Sequence, residues 1–407
     1  MSDIRPFRIE ATETELQDLR RRLLATRWPE PETVDDWSQG VPLGYLREVI
    51  DYWVRHYDWR SREAQLNRFP QYKTRLGELD IHFIHVRSAH EHALPLLITH
   101  GWPGSVVEFQ KILEPLTDPG AHGGDELDAF HVVCPSLPGY GFSDKPPARG
   151  CGVEKIAELW DELMARLGYE QYVAQGGDWG AAVTTQIGVQ NRGRCRGIHL
   201  NMPLGIPRPD AAKNPTPAEA KASALRKLYS QTESGYAVLQ STRPQTLGYG
   251  LTDSPAGQAA WILEKFRSWT DCNGHPENVL SRDELLDNIM LYWLPANGAS
   301  SARLYWESFR KSFATNSAPV CIPTGCSLFA RELSQPPREW VERRYSNVIY
   351  WNELTKGGHF AAFELPALFV EEVRRCFRLI RAALNDPVPA ARDRDGVATT
   401  VASQLER

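Results

Sequence analysis

The spacing of apolar residues in the first part of the chain predicts helices. Thr12 and Glu15 have the spacing of a capping box, in which each side chain binds the other residue's backbone N–H, and leucines recur on one helical face after them. We therefore expect an amphipathic helix over about 12–27, which Pro29 ends. A second helical period, rich in aromatic residues, runs over 43–57.

Beyond these helices the pattern changes to short strands. Two alternating runs around Gly77 predict a hairpin over 72–87, with Ile81, Phe83 and His85 on one face. From residue 94 on, short apolar runs alternate with helical periods, which is typical of βαβ units and a parallel sheet. The strands predicted in this way are 94–99, 129–134, 172–175, 197–201, 319–327 and 347–351, and the helices are 153–167, a segment from about 181 to 189, and 365–384.

This alternation stops after residue 203. From 204 to 318 the chain has helical stretches punctuated by proline and glycine, without a convincing strand, so we expect a helical insertion between two parts of the sheet. Its clearest helical periods cover 257–269 and 281–293. The last segment, 385–407, is poor in apolar residues and contains two prolines, a composition typical of disorder.

Composition narrows the range of functions. The chain has 407 residues, 42% of them apolar and 24% charged, as in ordinary globular proteins. A net charge of −5 gives no electrostatic reason to bind nucleic acid and favours a neutral small-molecule partner. Seven scattered cysteines without a C-x-x-C pair predict reduced thiols and no zinc site. Without a secretory signal or a long apolar stretch in the sequence, we expect a cytoplasmic protein with no membrane anchor.

The segment 175–182, Gln-Gly-Gly-Asp-Trp-Gly-Ala-Ala, lies where a predicted strand meets a predicted helix. Small residues flank Asp178, as in a nucleophile elbow, a turn so tight that only small neighbours fit and the central side chain becomes exposed. An aspartate stands where hydrolases often have serine, and G-x-S-x-G is absent from the chain, which argues against a serine esterase or lipase. Taken alone, the segment is explained at least as well by Asp178 acting as a helix N-cap.

Two further segments have the order along the chain that an α/β-hydrolase requires. The sequence His-Gly-Trp-Pro-Gly at 100–104 directly follows a predicted strand. In α/β-hydrolases this loop supplies one oxyanion-hole N–H and the residue after the nucleophile, here Trp179, supplies the other; the alternative is an ordinary turn. His359, in Gly-Gly-His-Phe-Ala-Ala at 357–362, follows the last strand, where the catalytic histidine belongs. The sequence has no H-E-x-x-H or similar metal-binding spacing.

An acidic residue that orients His359 should lie in the loop after the preceding strand. Between about 327 and 347 the acidic residues are Glu332, Glu339 and Glu342. The last two lie in a highly charged stretch, 338–344, which is typical of a solvent-exposed helix with salt bridges. Glu332 is therefore the predicted partner of His359.

With these segments the sequence resembles the epoxide hydrolases of the microsomal branch of the α/β-hydrolase superfamily, over about residues 5–384. The stretches that carry the resemblance are 23–29 (Leu-Leu-Ala-Thr-Arg-Trp-Pro), 100–104, 135–143 (Pro-Ser-Leu-Pro-Gly-Tyr-Gly-Phe-Ser), the Asp178 elbow, 253–257 (Asp-Ser-Pro-Ala-Gly) and 357–362. The resemblance implies an α/β-hydrolase fold with a mostly parallel central sheet. The implied parts are an N-terminal helical extension packing on core and cap (1–70), two parts of the core (71–203 and 319–384), a helical cap or lid (204–318) and the tail (385–407).

The resemblance also implies a covalent mechanism. Asp178 would attack the epoxide and form an alkyl ester, and water activated by His359, held by Glu332, would hydrolyse the ester to a vicinal diol. The backbone N–H groups of Trp102 and Trp179 would receive the oxyanion. The implied reaction needs no cofactor and no metal.

Two cap tyrosines that hold the epoxide oxygen map, by the same resemblance, to Tyr236 and Tyr305. Spacing alone would make Tyr229, Tyr249 and Tyr292 equally eligible. The expected partner is a small-molecule epoxide, with a homodimer as an option for the assembly.

Two other functions are compatible with the sequence. A haloalkane or haloacid dehalogenase uses the same aspartate and histidine, and the indole N–H of Trp179 could hold a departing halide. A non-catalytic ligand receptor on the same fold is the other alternative, although it has no evident use for Asp178, Glu332 and His359 together. Xenobiotic detoxification and a biosynthetic role in secondary metabolism both stay open.

Overall fold

A nine-stranded sheet runs through the residues that this computed structural model describes, 4–312 and 318–385, with side chains as far as 382. Its strands are β1 (Ile4–Phe7), β2 (Gln71–Leu76), β3 (Leu79–Val86), β4 (Leu94–Thr99), β5 (Phe130–Pro135), β6 (Tyr172–Gly176), β7 (Cys195–Leu200), β8 (Thr324–Leu328) and β9 (Val348–Glu353). They lie in the order β1-β2-β3-β5-β4-β6-β7-β8-β9, antiparallel from β1 to β5 and parallel from β5 to β9. This is the mostly parallel α/β sheet that the sequence predicts.

Helices precede, connect and interrupt the sheet. They are α1 (Glu13–Leu24), α2 (Leu43–Arg55), α3 (Trp59–Leu66), α4 (Gln110–Thr117), α5 (Val153–Arg166), α6 (Asp178–Gln190), α7 (Pro217–Thr232), α8 (Gly235–Thr242), α9 (Pro244–Asp253), α10 (Pro255–Trp269), α11 (Arg282–Trp293), α12 (Gly298–Ser312), α13 (Arg338–Glu342), α14 (Ala361–Glu364) and α15 (Pro366–Asn385). Helices α7 to α12 separate β7 from β8, as the pattern predicts, and α1 packs against α10. Among the helices described, none combines the length and apolar character needed to cross a membrane. The predicted disordered tail lies, from residue 386 on, outside the described residues.

Helix α1 shows how local chemistry defines the N-terminal helices. The Thr12 side chain accepts the N–H of Glu15, and the Glu15 carboxylate accepts the N–H of Thr12 at 2.7 Å, so the predicted capping box is present. The helix ends at Leu24, three residues before the predicted end. There the carbonyl oxygen of Leu23, at the end of the helix, accepts the Thr26 hydroxyl at 2.8 Å and the Thr26 N–H at 3.3 Å, so it is satisfied by the residues that follow the helix.

The predicted hairpin over 72–87 is formed by β2 and β3, but its environment differs from the prediction in two ways. Strand β1, which the sequence analysis missed, pairs with β2; four residues are too few to show a periodicity. The face of β3 opposite the predicted one is also buried, since His82 is fully buried and bonds to Ser136 (2.9 Å) and Gln71 (2.8 Å). Burial lowers the pKa of His82 to about 3.

The strand predicted over 319–327 is wrong at its start. Strand β8 begins only at Thr324, and before it Val320 forms a single isolated bridge with Tyr345. Pro319 and Pro323 explain the difference, because proline has no N–H to donate to a neighbouring strand. Val320, one of the apolar residues that suggested a strand here, is buried although it lies outside a strand.

Four parallel strands end at the edge of the sheet where the predicted site residues lie. Loop 100–104 follows β4, Asp178 follows β6, Glu332 follows β8 and His359 follows β9. The carboxyl ends of parallel strands share one edge of a sheet, where α/β proteins bind their ligands. The topology therefore brings together segments that are far apart along the chain.

Candidate active site

Asp178 begins helix α6 directly after strand β6, in a strained backbone conformation. Its φ of 51° lies in the left-handed region, which residues other than glycine rarely adopt. The turn has no room for side chains around it: a Cβ on Gly176 would lie 2.2 Å from the carbonyl oxygen of Gly180, and a Cβ on Gly180 would lie 1.9 Å from that of Thr99. The N-cap of α6 is Gly177. The N-cap interpretation of Asp178 is therefore wrong, and the segment has the geometry of a nucleophile elbow.

Both carboxylate oxygens of Asp178 are held by neighbours. Oδ1 accepts the backbone N–H of Trp102 at 2.8 Å, and Oδ2 lies 3.3 Å from Nε2 of His359. The Trp102 N–H therefore lies where an oxyanion at Asp178 would need a donor. Trp179, the other predicted oxyanion residue, is next to Asp178 in the first turn of α6, with its side chain buried.

His359 is bound to Glu332, the predicted acid. Its Nδ1 lies 2.7 Å from Oε1 of Glu332, and both side chains are buried. Burial by itself would lower the pKa of His359, but the carboxylates of Glu332 and Asp178 outweigh this effect and raise that pKa well above its ordinary value. The other two acidic residues considered lie elsewhere: Glu342 bonds to Arg338 on α13, and Glu339 is exposed on the same helix.

Tyr236 and Tyr305 face the same cavity as Asp178. Tyr236 stacks on Trp102, with ring centroids 4.9 Å apart, and Tyr305 packs edge-on against Trp179 at 4.8 Å. Burial raises the pKa of both phenols well above the ordinary value, and the charge of Asp178 adds to the effect. Both tyrosines therefore stay protonated and able to donate a hydrogen bond at neutral pH.

The three other eligible tyrosines have different environments. Tyr249 is 69% exposed, and Tyr292 donates to the carbonyl oxygen of Gly104 at 2.7 Å. Tyr229 does reach the cavity, and its hydroxyl lies 2.8 Å from that of Tyr236. The structure thus adds Tyr229 as a neighbour of the predicted pair, which spacing alone could not select.

The cavity above Asp178 has a volume of about 210 Å³. An apolar cavity of roughly 150 Å³ is enough to bind benzene, so an aryl or short alkyl substrate fits here. Its lining is mostly apolar and includes the residues Trp179, Met202, Leu204, Gly205, Phe309, Leu333 and Ser334, besides Asp178, the three tyrosines, Arg226 and Arg344. Neither arginine was singled out by the sequence, where each lies in a charged helical context.

A second, smaller cavity of about 20 Å³ is lined by Asp178, His359 and Glu108, among other residues. Such a volume holds about one water molecule. Burial raises the pKa of Glu108 to about 8. Burial likewise raises to about 7 the pKa of Glu364, whose carboxylate accepts the N–H groups of Gly358 and Phe360 on either side of His359. Sequence analysis missed Glu108; its only signal is an acidic residue inside the apolar run 106–109.

The raised pKa of Glu108 predicts a pH-dependent stability. The folded protein keeps this proton up to about pH 8, whereas the unfolded chain loses it near the ordinary pKa of glutamate. The stabilisation is therefore complete at low pH and is lost as pH rises through this window. In Glu108→Gln, which cannot ionise, the free energy of unfolding relative to wild type should rise by on the order of 3 kcal/mol from pH 5 to pH 8. Urea unfolding at both pH values measures this difference; a difference that does not change with pH would contradict the prediction.

Known protein families and known proteins resemble this chain in sequence. Two family models match the chain, "Epoxide hydrolase N terminus" over residues 4–109 and "alpha/beta hydrolase fold" over residues 95–249. The chain is 57% identical to the "Putative epoxide hydrolase" of Stigmatella aurantiaca over 379 residues, which cover 93% of this chain and 86% of that one. It is 37% identical to Epoxide hydrolase 1 of Sus scrofa, with 93% and 89% of the two chains covered.

A solved structure shows the same relationship in three dimensions. The crystal structure of juvenile hormone epoxide hydrolase from the silkworm Bombyx mori matches with a TM-score of 0.84 and 34% identity, covering 95% of this chain and 96% of that one. Sequence and structure thus agree over almost the whole chain. This protein belongs to the microsomal-type epoxide hydrolases of the α/β-hydrolase superfamily.

Proposed function

We propose that this enzyme opens epoxides to vicinal diols through a covalent ester on Asp178. The observation that carries the proposal is that the carboxylate of Asp178, whose backbone is strained at the elbow, contacts the buried pair of His359 and Glu332. Asp178 also lines the same cavity as the protonated phenols of Tyr236 and Tyr305. Helices α7 to α12, which carry Tyr236 and Tyr305, would act as the cap over this cavity.

In the first step an oxygen of Asp178 attacks a ring carbon of the epoxide, and the C–O bond of the ring breaks. The epoxide oxygen takes a proton from Tyr236 or Tyr305 as it leaves the carbon, so the leaving group is a hydroxyl rather than an alkoxide. The products are a hydroxyalkyl ester on Asp178 and a phenolate. The raised pKa of both phenols supports this role, because it keeps the proton available until the ring opens.

In the second step water attacks the ester carbonyl of Asp178. His359 takes a proton from the water, and the N–H groups of Trp102 and Trp179 stabilise the oxyanion. The bond between the carbonyl carbon and the alkyl oxygen then breaks, and the diol leaves with the proton from His359. The acid re-formed on Asp178 gives up its proton, which restores the phenol.

Esterification also prepares His359 to act as a base. In the free enzyme the negative charge of Asp178 is one cause of the raised pKa of His359. Because the ester is neutral, this contribution disappears in the intermediate, and the pKa of the histidine falls. The imidazolium thus releases its proton to solvent more easily at the stage at which the reaction requires a neutral base, and it regains a proton from solvent once Asp178 is ionised again.

The path of the oxygen atoms tests this mechanism. We expect that a single turnover of styrene oxide by excess enzyme in oxygen-18 water yields a diol without the label, because the water oxygen enters Asp178. Repeated turnover should then transfer the label to the diol. Mass spectrometry of the diol measures both results. A labelled diol in the first turnover would mean that water attacks the epoxide directly.

A further inference from the structure

Two arginines in the substrate cavity have no part in the proposed reaction. Asp178 and the tyrosines account for the other ionisable groups that line it, which leaves Arg226 and Arg344. Arginine side chains carry a positive charge in proteins, so the lining of this cavity includes two positive charges. The rest of the cavity is mostly apolar. A cavity that binds only neutral hydrocarbon epoxides has no evident use for two positive charges beside one carboxylate.

Arg344 is buried without an acidic partner. It is 3% exposed, lies between α13 and β9, and forms no ion pair with any residue that the structure describes. Its Nη1 donates one long hydrogen bond, of 3.5 Å, to the carbonyl oxygen of Ser312, and its Nε is buried without an acceptor among those same residues. A buried charge is normally paired, because removing it from water costs several kcal/mol.

Two other arginines of this chain follow that rule. Arg62 makes a forked contact with the buried carboxylate of Asp287, and Arg208 does so with the buried Glu219 at 2.6 and 2.8 Å. Both of these arginines are more exposed than Arg344. Arg374 does not follow the rule: it is 6% exposed, has no ion pair among the residues described, and donates to the carbonyl oxygen of Pro115 at 2.7 Å. Arg344 differs from Arg374 in that it lines the substrate cavity.

Arg226 lies at the opening of the same cavity. It is exposed on helix α7, its guanidinium lies 5.5 Å from the centroid of the Trp340 ring, and it forms no ion pair within the described ranges. The indole orients the guanidinium without neutralising its charge. A ligand that enters past Arg226 and reaches Arg344 would meet positive charge along its path.

We propose that the natural substrates of this enzyme are epoxides that carry a carboxylate, which Arg344 binds while the epoxide ring lies at Asp178. A guanidinium binds a carboxylate through charge-assisted N–H···O bonds, and in the part of the chain that the structure describes the one hydrogen bond of the Arg344 guanidinium is the long bond from Nη1 to Ser312. Arg226 would attract the anion at the cavity opening. This proposal rests on the proposed function, since it assigns the substrate class of the same cavity.

Matched pairs of substrates test the charge alone. We would measure kcat and KM for the terminal epoxides of hexanoate, octanoate and undecanoate and for their methyl esters, with styrene oxide as a neutral reference. The three lengths allow for the span between Asp178 and Arg344. We expect at least one acid to exceed its own ester in kcat/KM by roughly 30-fold, mainly through a lower KM, which corresponds to about 2 kcal/mol for a buried charge pair.

Variants at neighbouring positions identify the residue responsible. Arg344→Gln should lower the acid-to-ester ratio of kcat/KM at least tenfold, and Arg344→Lys, which keeps the charge, should restore part of it. Arg343→Gln is the matched control, because Arg343 is the adjacent residue and is exposed. If Arg344→Gln does not fold, Arg226→Gln on the exposed surface still tests the charge effect, with a smaller loss of the same ratio.

The outcomes separate this proposal from the proposed function. An enzyme that hydrolyses styrene oxide and the esters but prefers none of the acids would overturn the carboxylate proposal and leave the epoxide hydrolase function intact. An equal loss of acid and ester turnover in Arg344→Gln would also overturn it, and would mean that Arg344 only supports the backbone at Ser312. No turnover of any of the seven epoxides would count against the proposed function itself.

Discussion

Replacing Asp178 by alanine is expected to lower kcat for any epoxide substrate by on the order of 10⁵ or more. The variant would lack the atom that forms the first bond, and neither His359 nor Glu332 can substitute for it, because their side chains are bound to each other. We expect the loss in kcat to exceed any change in the dissociation constant of a non-reactive ligand. Steady-state diol formation and ligand titration measure the two quantities.

Two controls exclude a general effect of the substitution. Asp35→Ala, in an exposed loop, should keep full activity. The far-ultraviolet circular dichroism of Asp178→Ala should match that of wild type, because the strained φ of 51° is set by the tight packing around Gly176 and Gly180 rather than by the side chain. Activity within tenfold of wild type in Asp178→Ala would exclude this residue as the nucleophile.

Replacing His359 by glutamine is expected to block the second step and spare the first. The ester would form but would not be hydrolysed, so a rapid burst of one epoxide consumed per enzyme should precede a steady state slowed by about 10³- to 10⁴-fold. Stopped-flow or quenched-flow measurement of epoxide consumption shows both phases. Asp178→Ala should show no burst at all.

The exposed His56 offers a matched control, since His56→Gln makes the same chemical change away from the cavity. This variant should turn over like wild type and show no stalled phase. If His359→Gln lost the burst together with the steady state, the histidine would be needed for the first step, contrary to the mechanism proposed above.

Much of the catalytic edge could be predicted from the sequence, because its constraints are local. The elbow requires small residues on both sides of Asp178, and the structure shows the backbone contacts that exclude larger ones. The position of His359 follows from the order of the strands along the chain. Glu332 could be selected because it is the acidic residue in that interval that does not lie in a charged helix.

Other features depend on packing between distant segments and have no local signal. Which tyrosines face Asp178 depends on how α8 and α12 lie against each other and over the elbow. Arg344 is one of several arginines in a charged stretch, and only the fold shows that it is buried in the substrate cavity. Glu108 similarly lines the small cavity at His359 only because loop 100–104 and His359, which are distant along the chain, meet there in the fold.

The central claim is that Asp178 forms a covalent ester with the substrate, and intact-protein mass spectrometry tests it most directly. His359→Gln is mixed with styrene oxide, its mass is measured, and its peptides are mapped. The account predicts a mass gain equal to one whole epoxide, located on the peptide that contains Asp178 and absent from Asp178→Ala. An unchanged mass in a variant that still consumes the epoxide, or an adduct on any other residue, would contradict it.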